Sequence, residues 1–577
     1  MSDLGTNKNN FDVYKEFILR LSEVFQQRLA TMAYIPGTFT ASHVKEILDK
    51  KSVAGAKDLV LVPLKKKNFI SYDSKTERFD IHGILRDCLS VYVCIKNIPA
   101  VRKRFCKTFA EEIKKISDMM STTDYTEALA LFGLENPNLQ KLLTEVMYTQ
   151  HDTYDFFIEV ASTCSILLEN LMASESEKFY EGCLKITQQY GRHGDEAFVK
   201  ISYGSLLTYT KGDTICGEKF YCQALDVLKS NPTCAKLAEL HQKYGWNLYL
   251  QGRAEESISH LRSSMEIVQK LGQGRTNLCL QTLTYLGIVH TFIGSFDEAK
   301  KYYHESLKQH RKNLEEENDE RVRQNKTPIS ENEVPAFGFI FDYLGVFYQQ
   351  TGDDKQALDY HEKGLEINRH LKVPPRILPV SINHVAAYYA LFKRCEEAVE
   401  LLKEAELNLL RAVPPNEANL SLIYDTMGKV YNKIKKFSQA ITELEKSVTL
   451  REKLMDRSAM HAESILHLCQ AKIGMKNYEA ATSLAQKVIS MKTDLAKNMP
   501  QNSFISEALE CLVEISLQSN EESCKQLLET FKNLEEELQR LIHLHKTKGN
   551  DNLVQHYTER LQTISAKVRV STKDTPV

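Results

Sequence analysis

LGVFYQQTGDDKQALDYHEKGL, residues 344–365, is the stretch that decides the fold. An apolar segment centred on Gly345 leads into a turn, and a second segment follows with a small residue at Ala357. The same arrangement occurs in LGIVHTFIGSFDEAKKYYHESL, residues 286–307. One small residue at a fixed place in each segment indicates two antiparallel helices, because helices approach closely only where neither carries a large side chain.

The small residues recur along most of the chain. Those of the first helix are Gly204, Gly245, Gly287, Gly345, Ala386, Gly428 and Cys469, at spacings of 41, 42, 58, 41, 42 and 41. Those of the second helix are Gly217, Ser257, Ala299, Ala357, Ala398, Ala440 and Ala481. Weaker copies lie around Cys164 to Cys183 and around Cys511 to Thr530, which gives about nine helix pairs. Since one pair cannot bury its apolar face alone, the pairs are expected to stack into a superhelix.

The segment KGDTICGEKF, residues 211–220, has the outline of a phosphate-binding loop, because four residues separate Gly212 from Gly217. Glu218, however, stands where such a loop needs its Lys, and no Ser or Thr follows. In the other copies the same place is the turn between the paired helices. We therefore predict a turn at Gly212 and no nucleotide site.

The first 150 residues lie outside the clear repeats. An amphipathic pattern over 12–31 predicts a helix, and Thr40 or Ser42 is placed to cap a second one. NFISYD and RFDIH, within residues 68–82, alternate as the strands of a hairpin, and a helix is expected over 83–92. Helices followed by a hairpin predict a small α/β domain of the winged-helix type.

These patterns divide the chain into four segments. They are a winged-helix-like domain at 12–110, a helical linker at 111–150, the repeat array at 151–545, and a terminal helix with a flexible tail at 546–577. The array carries an insertion at 311–333 that is polar and mixed in charge, which is typical of an extended helix end and a flexible loop. The predicted fold class is therefore mostly α.

Composition narrows the class of protein. The net charge of −2 gives no general reason to expect nucleic acid or membrane as a partner, and no run of 18 apolar residues is present to span a bilayer. The N-terminus lacks an apolar signal core, and the 13 cysteines form no C-x-x-C pair. A cytoplasmic location with reduced thiols is expected, and Cys222 and Cys279 are interpreted as packing residues.

No chemistry-bearing motif emerges from the sequence. H-E-x-x-H and G-x-S-x-G are both missing, and His543 and His545 point to different faces of a helix. We predict no catalytic, cofactor-binding or metal-binding residue, no cofactor, and no enzymatic activity.

The N-terminal domain is the one strongly charged region. From Lys50 to Ala110 there are 14 Lys and Arg against 5 Asp and Glu, including the run Lys65, Lys66 and Lys67. Such a basic domain is able to bind a nucleic-acid backbone, but it is also consistent with a solvated face or with a face docked on acidic repeats. Nucleic-acid binding is kept as the third hypothesis.

The periodic segments resemble the long tetratricopeptide repeat of kinesin light chains and nephrocystin-like proteins, over roughly residues 150 to 540. The resemblance implies that the first helix of each pair lines a concave groove, with residues three before and one, four and five after the small residue facing a partner. These are Gln242, Trp246, Tyr249, Thr284, Thr291, Asp342, Gln349, Asn383, Asp425, Lys429 and Asn432. Asn383 stands where kinesin light chains place an Asn that grips peptide backbone, although its neighbour here is His384. Trp246 is interpreted either as a binding anchor or as packing between repeats.

AYIPGTFTASHVKEIL, residues 33–48, and RFDIHGILRDCL resemble the winged helix of signal-transduction ATPases with numerous domains. In that family a His at the position of His82 begins the last helix, followed by residues matching Leu85 and Arg86. ALALFGLENPNLQKLL, residues 128–143, is similar to the segment that joins such domains to repeats. The nucleotide-binding domain of that family is absent from this chain, so His82 is predicted to be a packed structural residue.

The preferred hypothesis is a scaffold or adaptor that binds a peptide or helix of another protein in the groove of the repeats. The alternative is the regulatory sensor part of such an ATPase, in which the repeats hold a switch off until a ligand binds. The sequence predicts neither the identity of the partner nor the oligomeric state.

Overall fold

The structure, a computed structural model, describes residues 13–120, 122–149, 151–190, 193–230, 234–272, 276–373, 377–411, 415–455, 458–493, 495, 503–519, 524–547 and 551–573. Contacts divide the chain into an N-terminal unit, Met1–Ser202, and a repeat unit, Tyr203–Val577. Within the described residues, no helix combines the length and apolar character that crossing a membrane requires.

The N-terminal unit is helical apart from one hairpin. After a helix at 13–19, its elements are α1 (Glu23–Ala33), α2 (Ala41–Ile47), the irregular α3 (53–66), β1 (Ser71–Asp73), β2 (Arg78–Asp80), α4 (Gly83–Tyr92), α5 (Ile98–Met119), α6 (Tyr125–Glu145), α7 (Tyr154–Thr163), α8 (Ser165–Leu171) and α9 (Ala173–Tyr190). The centre of α3, Lys57–Leu61, is π-helical, and a short 3₁₀ turn at Val146–Tyr148 follows α6.

The hairpin and its capped helix follow the predicted winged-helix order. β1 pairs antiparallel with β2, and Phe39 adds an isolated bridge to Phe79. The side chain of Thr40 accepts a hydrogen bond from the backbone N–H of His43 at 3.2 Å, which caps α2. The single helix predicted over 12–31 is wrong, because the extended backbone of Ser22 separates helix 13–19 from α1.

Helix α6, predicted to lie in a linker, is docked on the winged-helix residues. The side chain of Asn138 accepts from the backbone of Gly37 at 2.8 Å and donates to the carbonyl of Thr38 at 3.0 Å. Beside it, Arg78 and Glu135 form a buried ion pair of 2.6 Å with exposures of 5% and 3%. Because α5 runs without a break through residue 110, the predicted boundary there falls inside a helix.

The repeat unit continues as helix pairs, and its first helix, α10, includes the division between the two units. The elements are α10 (His193–Leu206), α11 (Thr214–Leu228), α12 (Ala235–Leu250), α13 (Ala254–Lys270), α14 (Asn277–Phe292), α15 (Phe296–Arg323), α16 (Pro335–Gln350), α17 (Asp354–His370), α18 (Leu378–Leu391), α19 (Cys395–Arg411), α20 (Glu417–Lys433), α21 (Phe437–Met455), α22 (Ala459–Gly474), α23 (Tyr478–Ser490), α24 (Phe504–Ser519), α25 (Cys524–Thr547) and α26 (Asp551–Lys573). A π-helical segment, Leu207–Lys211, follows α10, and a 3₁₀ turn, Glu331–Glu333, precedes α16.

We number as repeats 1 to 7 the pairs that begin with α10, α12, α14, α16, α18, α20 and α22. In repeats 1, 2, 3, 4 and 6, the glycine of the first helix lies under a large side chain of the second helix. A Cβ atom at Gly428 would lie 2.2 Å from the Cγ of Leu444, and one at Gly287 would lie 2.9 Å from the ring of Tyr303. The close helix approach predicted from the small residues is confirmed.

The turn and the insertion have defined conformations. Gly212 has φ +71°, the left-handed conformation that glycine adopts freely, and it ends the π-helical segment. The insertion extends α15 to Arg323, as predicted. Its return segment is tied to the helix, since the Asn318 side chain donates to the carbonyl of Ile329 and accepts from its N–H, both at 2.9 Å. The predicted loop therefore contacts the extended helix through Ile329, while the last residues of the predicted tail, 574–577, lie outside the described residues.

Candidate functional site

The first helices of consecutive repeats are joined by a ladder of polar side chains. The residue three before the small residue bonds to a hydroxyl of the next first helix. Gln242 donates to the Thr282 hydroxyl at 3.1 Å, Asp342 accepts from Ser381, and Asp425 accepts from Ser464 at 2.8 Å. These side chains therefore hold neighbouring repeats together.

The structure buries most of the predicted groove residues. The buried side chains are Gln242, Trp246, Thr284, Thr291, Asp342, Asn383 and Asp425, Tyr249 and Asn432 are half-buried, and Gln349 and Lys429 are exposed. Thr284 bonds to the hydroxyl of Ser306 at 2.8 Å, and Thr291 donates to the carbonyl of Gly287 at 2.8 Å. Only the last four of these eleven side chains are accessible to a partner in this conformation.

The burial has a cause in the winding of the array. The side chain of Asn416, which caps α20 in repeat 6, donates to the carbonyl of Tyr209 in repeat 1 at 3.2 Å, although the two are 207 residues apart. A Cβ atom at Gly212 would lie 2.8 Å from the Cβ of Ala418. Repeat 1 therefore touches repeat 6, and the first helices between them face a narrow centre instead of an open groove.

Aromatic side chains fill part of that centre. We define the aromatic cluster as Tyr209, Trp246, Tyr249, Tyr285, Phe339 and Tyr343. Trp246 stacks on Tyr285 at 4.3 Å between ring centroids and lies 6.3 Å from Tyr343, edge to face. With 6% of its surface exposed, Trp246 packs between repeats, which is one of its two predicted roles. Tyr209, Tyr249, Phe339 and Tyr343 are half-buried and form the accessible edge of the cluster.

The hydroxyl groups of the cluster are joined to exposed amides. Tyr209 and Tyr285 share a hydrogen bond of 3.3 Å, and the exposed Gln281 donates to the Tyr285 hydroxyl at 3.0 Å. Burial raises the pKa of Tyr343 well above its usual value, so this phenol is neutral at physiological pH. The inner wall thus offers uncharged rings together with amide groups that both donate and accept.

A charged cluster lies where repeats 6 and 7 meet. The exposed Lys429 lies 3.3 Å from Glu463, and Asn432 donates to the carbonyl of His467 at 2.9 Å. Burial by itself would raise the pKa of Asp425, but His467 and Arg451 outweigh it and hold this pKa well below its usual value. Asp425 is therefore a charged structural residue.

Sequence reasoning missed the residues two before the small residue. These are Tyr285, Tyr343 and His384 in three consecutive repeats, and all three take part in ring contacts of the inner wall. The signal was present, since an aromatic or histidine recurs there at the repeat period. The residue six before, Gln281 or Phe339, was likewise missed.

Part of the basic charge of the N-terminal unit is paired within that unit. Arg102 bonds to Glu145 at 2.8 Å, and Lys103 lies 3.1 Å from Asp152. Both acidic partners come from segments outside the basic window of residues 50–110. Lys65, Lys66 and Lys67 remain exposed.

Two predicted packing residues are exposed. His82 precedes α4 with its side chain in solvent, so its prediction as a packed residue is wrong, and Arg86 instead holds this region by bonding to the carbonyl of Gly37 at 2.8 Å. Cys222 is also exposed, since the helix turns it outward, and it lies 3.3 Å from the hydroxyl of Tyr244. Cys279 is buried, as predicted.

Comparison with known proteins agrees with the pairing of helices. Residues 237–312 match the family model of the tetratricopeptide repeat. These matched residues lie in repeats 2 and 3 of the array. The protein Kinesin Light Chain-Related 3 of Arabidopsis thaliana is 25% identical over 203 residues, which cover 34% of this chain and 28% of that relative.

Solved tetratricopeptide repeat structures show more distant likenesses. A Rap protein complexed with Competence and Sporulation Factor has 13% identity and a TM-score of 0.47, over 68% of this chain and 99% of that one. The signal transduction ATPase with numerous domains and a tetratricopeptide repeat sensor from Pyrococcus horikoshii has 13% identity and a TM-score of 0.38, over 96% of this chain and 68% of that one. Both resemblances seen in the sequence, to kinesin light chains and to these ATPases, recur here, but at such scores no residue role carries over.

Proposed function

We propose that the repeat unit is a protein-interaction scaffold that binds an extended segment of another protein at the accessible edge of its inner wall. The observation that carries this proposal is the half-buried edge of the aromatic cluster, with exposed amides on the same first helices. Scaffold binding makes and breaks no covalent bond.

The edge has the composition of a recognition surface. Phe339 and Tyr343 lie 4.9 Å apart and contact rings that are fully packed behind them, so they are held rigidly. A rigid aromatic side chain loses little conformational entropy when it is covered, which makes it a strong binding anchor. Gln281 and Gln349 are exposed and supply donors and acceptors for a peptide backbone.

Site-specific photo-crosslinking tests the proposal. A benzophenone amino acid is placed at position 339 or 349 on α16, and at the exposed Lys355 on α17 of the same repeat as a matched control. We expect positions 339 and 349 to crosslink to short segments of partner proteins, and position 355 to give none of these products. The crosslinked segment, made as a synthetic peptide, is then expected to bind the wild-type chain.

The peptide also provides a quantitative control. Phe339→Ala is expected to weaken its binding by about 5- to 30-fold, the effect of losing one aromatic anchor. Lys355→Ala is expected to leave the affinity unchanged. Equal crosslinking from position 355, or an affinity insensitive to Phe339→Ala, would place the interaction elsewhere.

A further inference from the structure

Asp342, His361 and His384 come from three different helices and meet inside the array. Asp342 lies on α16, His361 on α17 and His384 on α18, so the group joins repeats 4 and 5. One carboxylate oxygen and one ring nitrogen from each histidine all lie within 4.8 Å of one another. Ligand atoms around one zinc ion lie about 3 to 4 Å apart, since each is about 2 Å from the metal.

Among the described residues, each of the three side chains has a buried polar atom without a partner. The Oδ1 of Asp342 and the Nδ1 atoms of His361 and His384 are buried without a hydrogen bond. Asp342 is 5% exposed and His361 is 1% exposed, so water reaches neither freely. The other carboxylate oxygen of Asp342 accepts from Ser381 and, at 3.4 Å, from Asn368. Burying a polar atom without a partner is destabilising, and three such atoms in one place are a pattern that a bound ligand relieves.

His361 also departs from the rest of the array. In repeats 1, 2, 3, 5 and 6 the position four after the second small residue carries a large side chain, namely Tyr221, Leu261, Tyr303, Leu402 and Leu444, and repeat 7 has Ala485 there. All six of these residues are buried. The His361 ring occupies the same place, since a Cβ atom at Gly345 would lie 2.5 Å from its Nδ1. Repeat 4 thus has a histidine at a position where the other six repeats have Tyr, Leu or Ala.

Repeats 6 and 7 provide an internal comparison. Asp425, Ser464 and His467 stand at the same relative positions as Asp342, Ser381 and His384. Between repeats 6 and 7 the protein itself supplies a cation, because the fully buried Arg451 lies 3.8 Å from Asp425. The residue equivalent to Arg451, 26 positions after the aspartate, is the neutral Asn368 in repeat 4. In the part of the chain that the structure describes, no Lys or Arg pairs with Asp342.

We propose that Asp342, His361 and His384 bind a divalent transition-metal ion of the zinc class, which ties repeats 4 and 5 together. Two imidazole nitrogens and one carboxylate oxygen are a ligand set that zinc accepts. The ion supplies the positive charge that Arg451 supplies in repeat 6. Because His384 also contacts Tyr343 at 6.2 Å, the site supports the inner wall directly.

The test is Zn²⁺ titration of the full chain after treatment with a chelator, followed by calorimetry. Wild type is expected to bind one equivalent at this site. His361→Leu installs the residue that repeats 2, 5 and 6 carry at this position, so it is expected to fold, and to lose at least about 100-fold in affinity. Glu463→Gln is the matched control in the second cluster and is expected to bind like wild type.

Co²⁺ absorption distinguishes this site from the 13 cysteines, because thiolate ligands add a charge-transfer band that imidazole and carboxylate do not. Circular dichroism checks that His361→Leu is folded, and the isosteric Asp342→Asn is used if it is not. Wild type that binds no Zn²⁺, a folded variant that binds it equally well, or binding lost in Glu463→Gln instead would overturn the proposal.

Discussion

Acidification of the metal-free protein is predicted to change its free energy of unfolding in opposite directions through His361 and Asp342. The perturbation is a change from pH 7 to pH 5 in the presence of a chelator, for wild type, His361→Leu and Asp342→Asn. In the folded chain the pKa of His361 is about 2, whereas an unfolded histidine has a pKa of about 6.5. Between these values the unfolded state binds the proton and the folded state does not, so stability falls as pH falls.

The expected size follows from the two pKa values. Each pH unit below about 6.5 costs about 1.4 kcal/mol, so His361 removes about 2 kcal/mol of stability between pH 7 and pH 5. For Asp342 the sign is reversed. Its folded pKa of about 7 lies above the unfolded value of about 3.9, so the folded state binds the proton and stability rises by about 2 kcal/mol over the same change. His361→Leu should therefore tolerate acid better than wild type, and Asp342→Asn worse.

The measurement is urea unfolding followed by the fluorescence of Trp246, the only tryptophan in the chain. This probe is local, which matters because a repeat array does not unfold as one cooperative unit. Trp246 contacts Tyr343 at 6.3 Å, and Tyr343 contacts His384, so the probe is coupled to the site through two ring contacts. If all three proteins change stability by the same amount between pH 7 and pH 5, the burial argument for this group is refuted.

Two further predictions test the packing of the fold. Gly428→Ala is expected to lower the free energy of unfolding by about 1 to 3 kcal/mol, because its Cβ would lie 2.2 Å from the Cγ of Leu444. Gly133→Ala, in the interior of α6 with no atom within 4 Å of its Cβ, is the control for a glycine without close packing and should stabilise by about 0.5 to 1 kcal/mol. Hydrogen exchange of the amides around each site measures both effects. Glu135→Gln leaves Arg78 buried without its charge partner and is expected to cost about 3 to 5 kcal/mol in the N-terminal unit. Hydrogen exchange of the hairpin amides reports this loss, and unchanged protection there would contradict it.

The pairing of helices could be predicted from the sequence because it depends on local sterics. A glycine or alanine at a fixed place is required where two helix backbones approach. Gly287 in repeat 3 and Gly428 in repeat 6 both meet that requirement. The order of helices and hairpin in the N-terminal unit could also be predicted, because strand alternation and helix capping depend on residues only a few positions apart. The break at Ser22 was not, because the apolar spacing continues across it.

The burial of the groove residues could not be predicted in the same way. The curvature of the array results from many small rotations between successive repeats. The residue pattern within one repeat does not predict their total. The contact between Asn416 and Tyr209 therefore has no sequence signal. The bond from Ser381 of the next repeat to Asp342 is likewise not visible in the pattern of a single repeat. Gln349 and Lys429 remain exposed.

The other repeats of the array show which residues a packing position normally carries, and His361 departs from them. Leu402 and Leu444 show that bulk alone satisfies the position, so a histidine there gives up apolar burial that neighbouring repeats keep. It also stands in the same repeat as Asn368, where repeat 6 has the buried Arg451 beside its aspartate. Repeat 4 therefore differs from repeat 6 at two positions near its buried carboxylate, with His361 in place of Leu444 and Asn368 in place of Arg451. Packing alone does not explain both differences. An ion that binds all three free atoms explains both, and it makes the arrangement of the inner wall depend on metal supply.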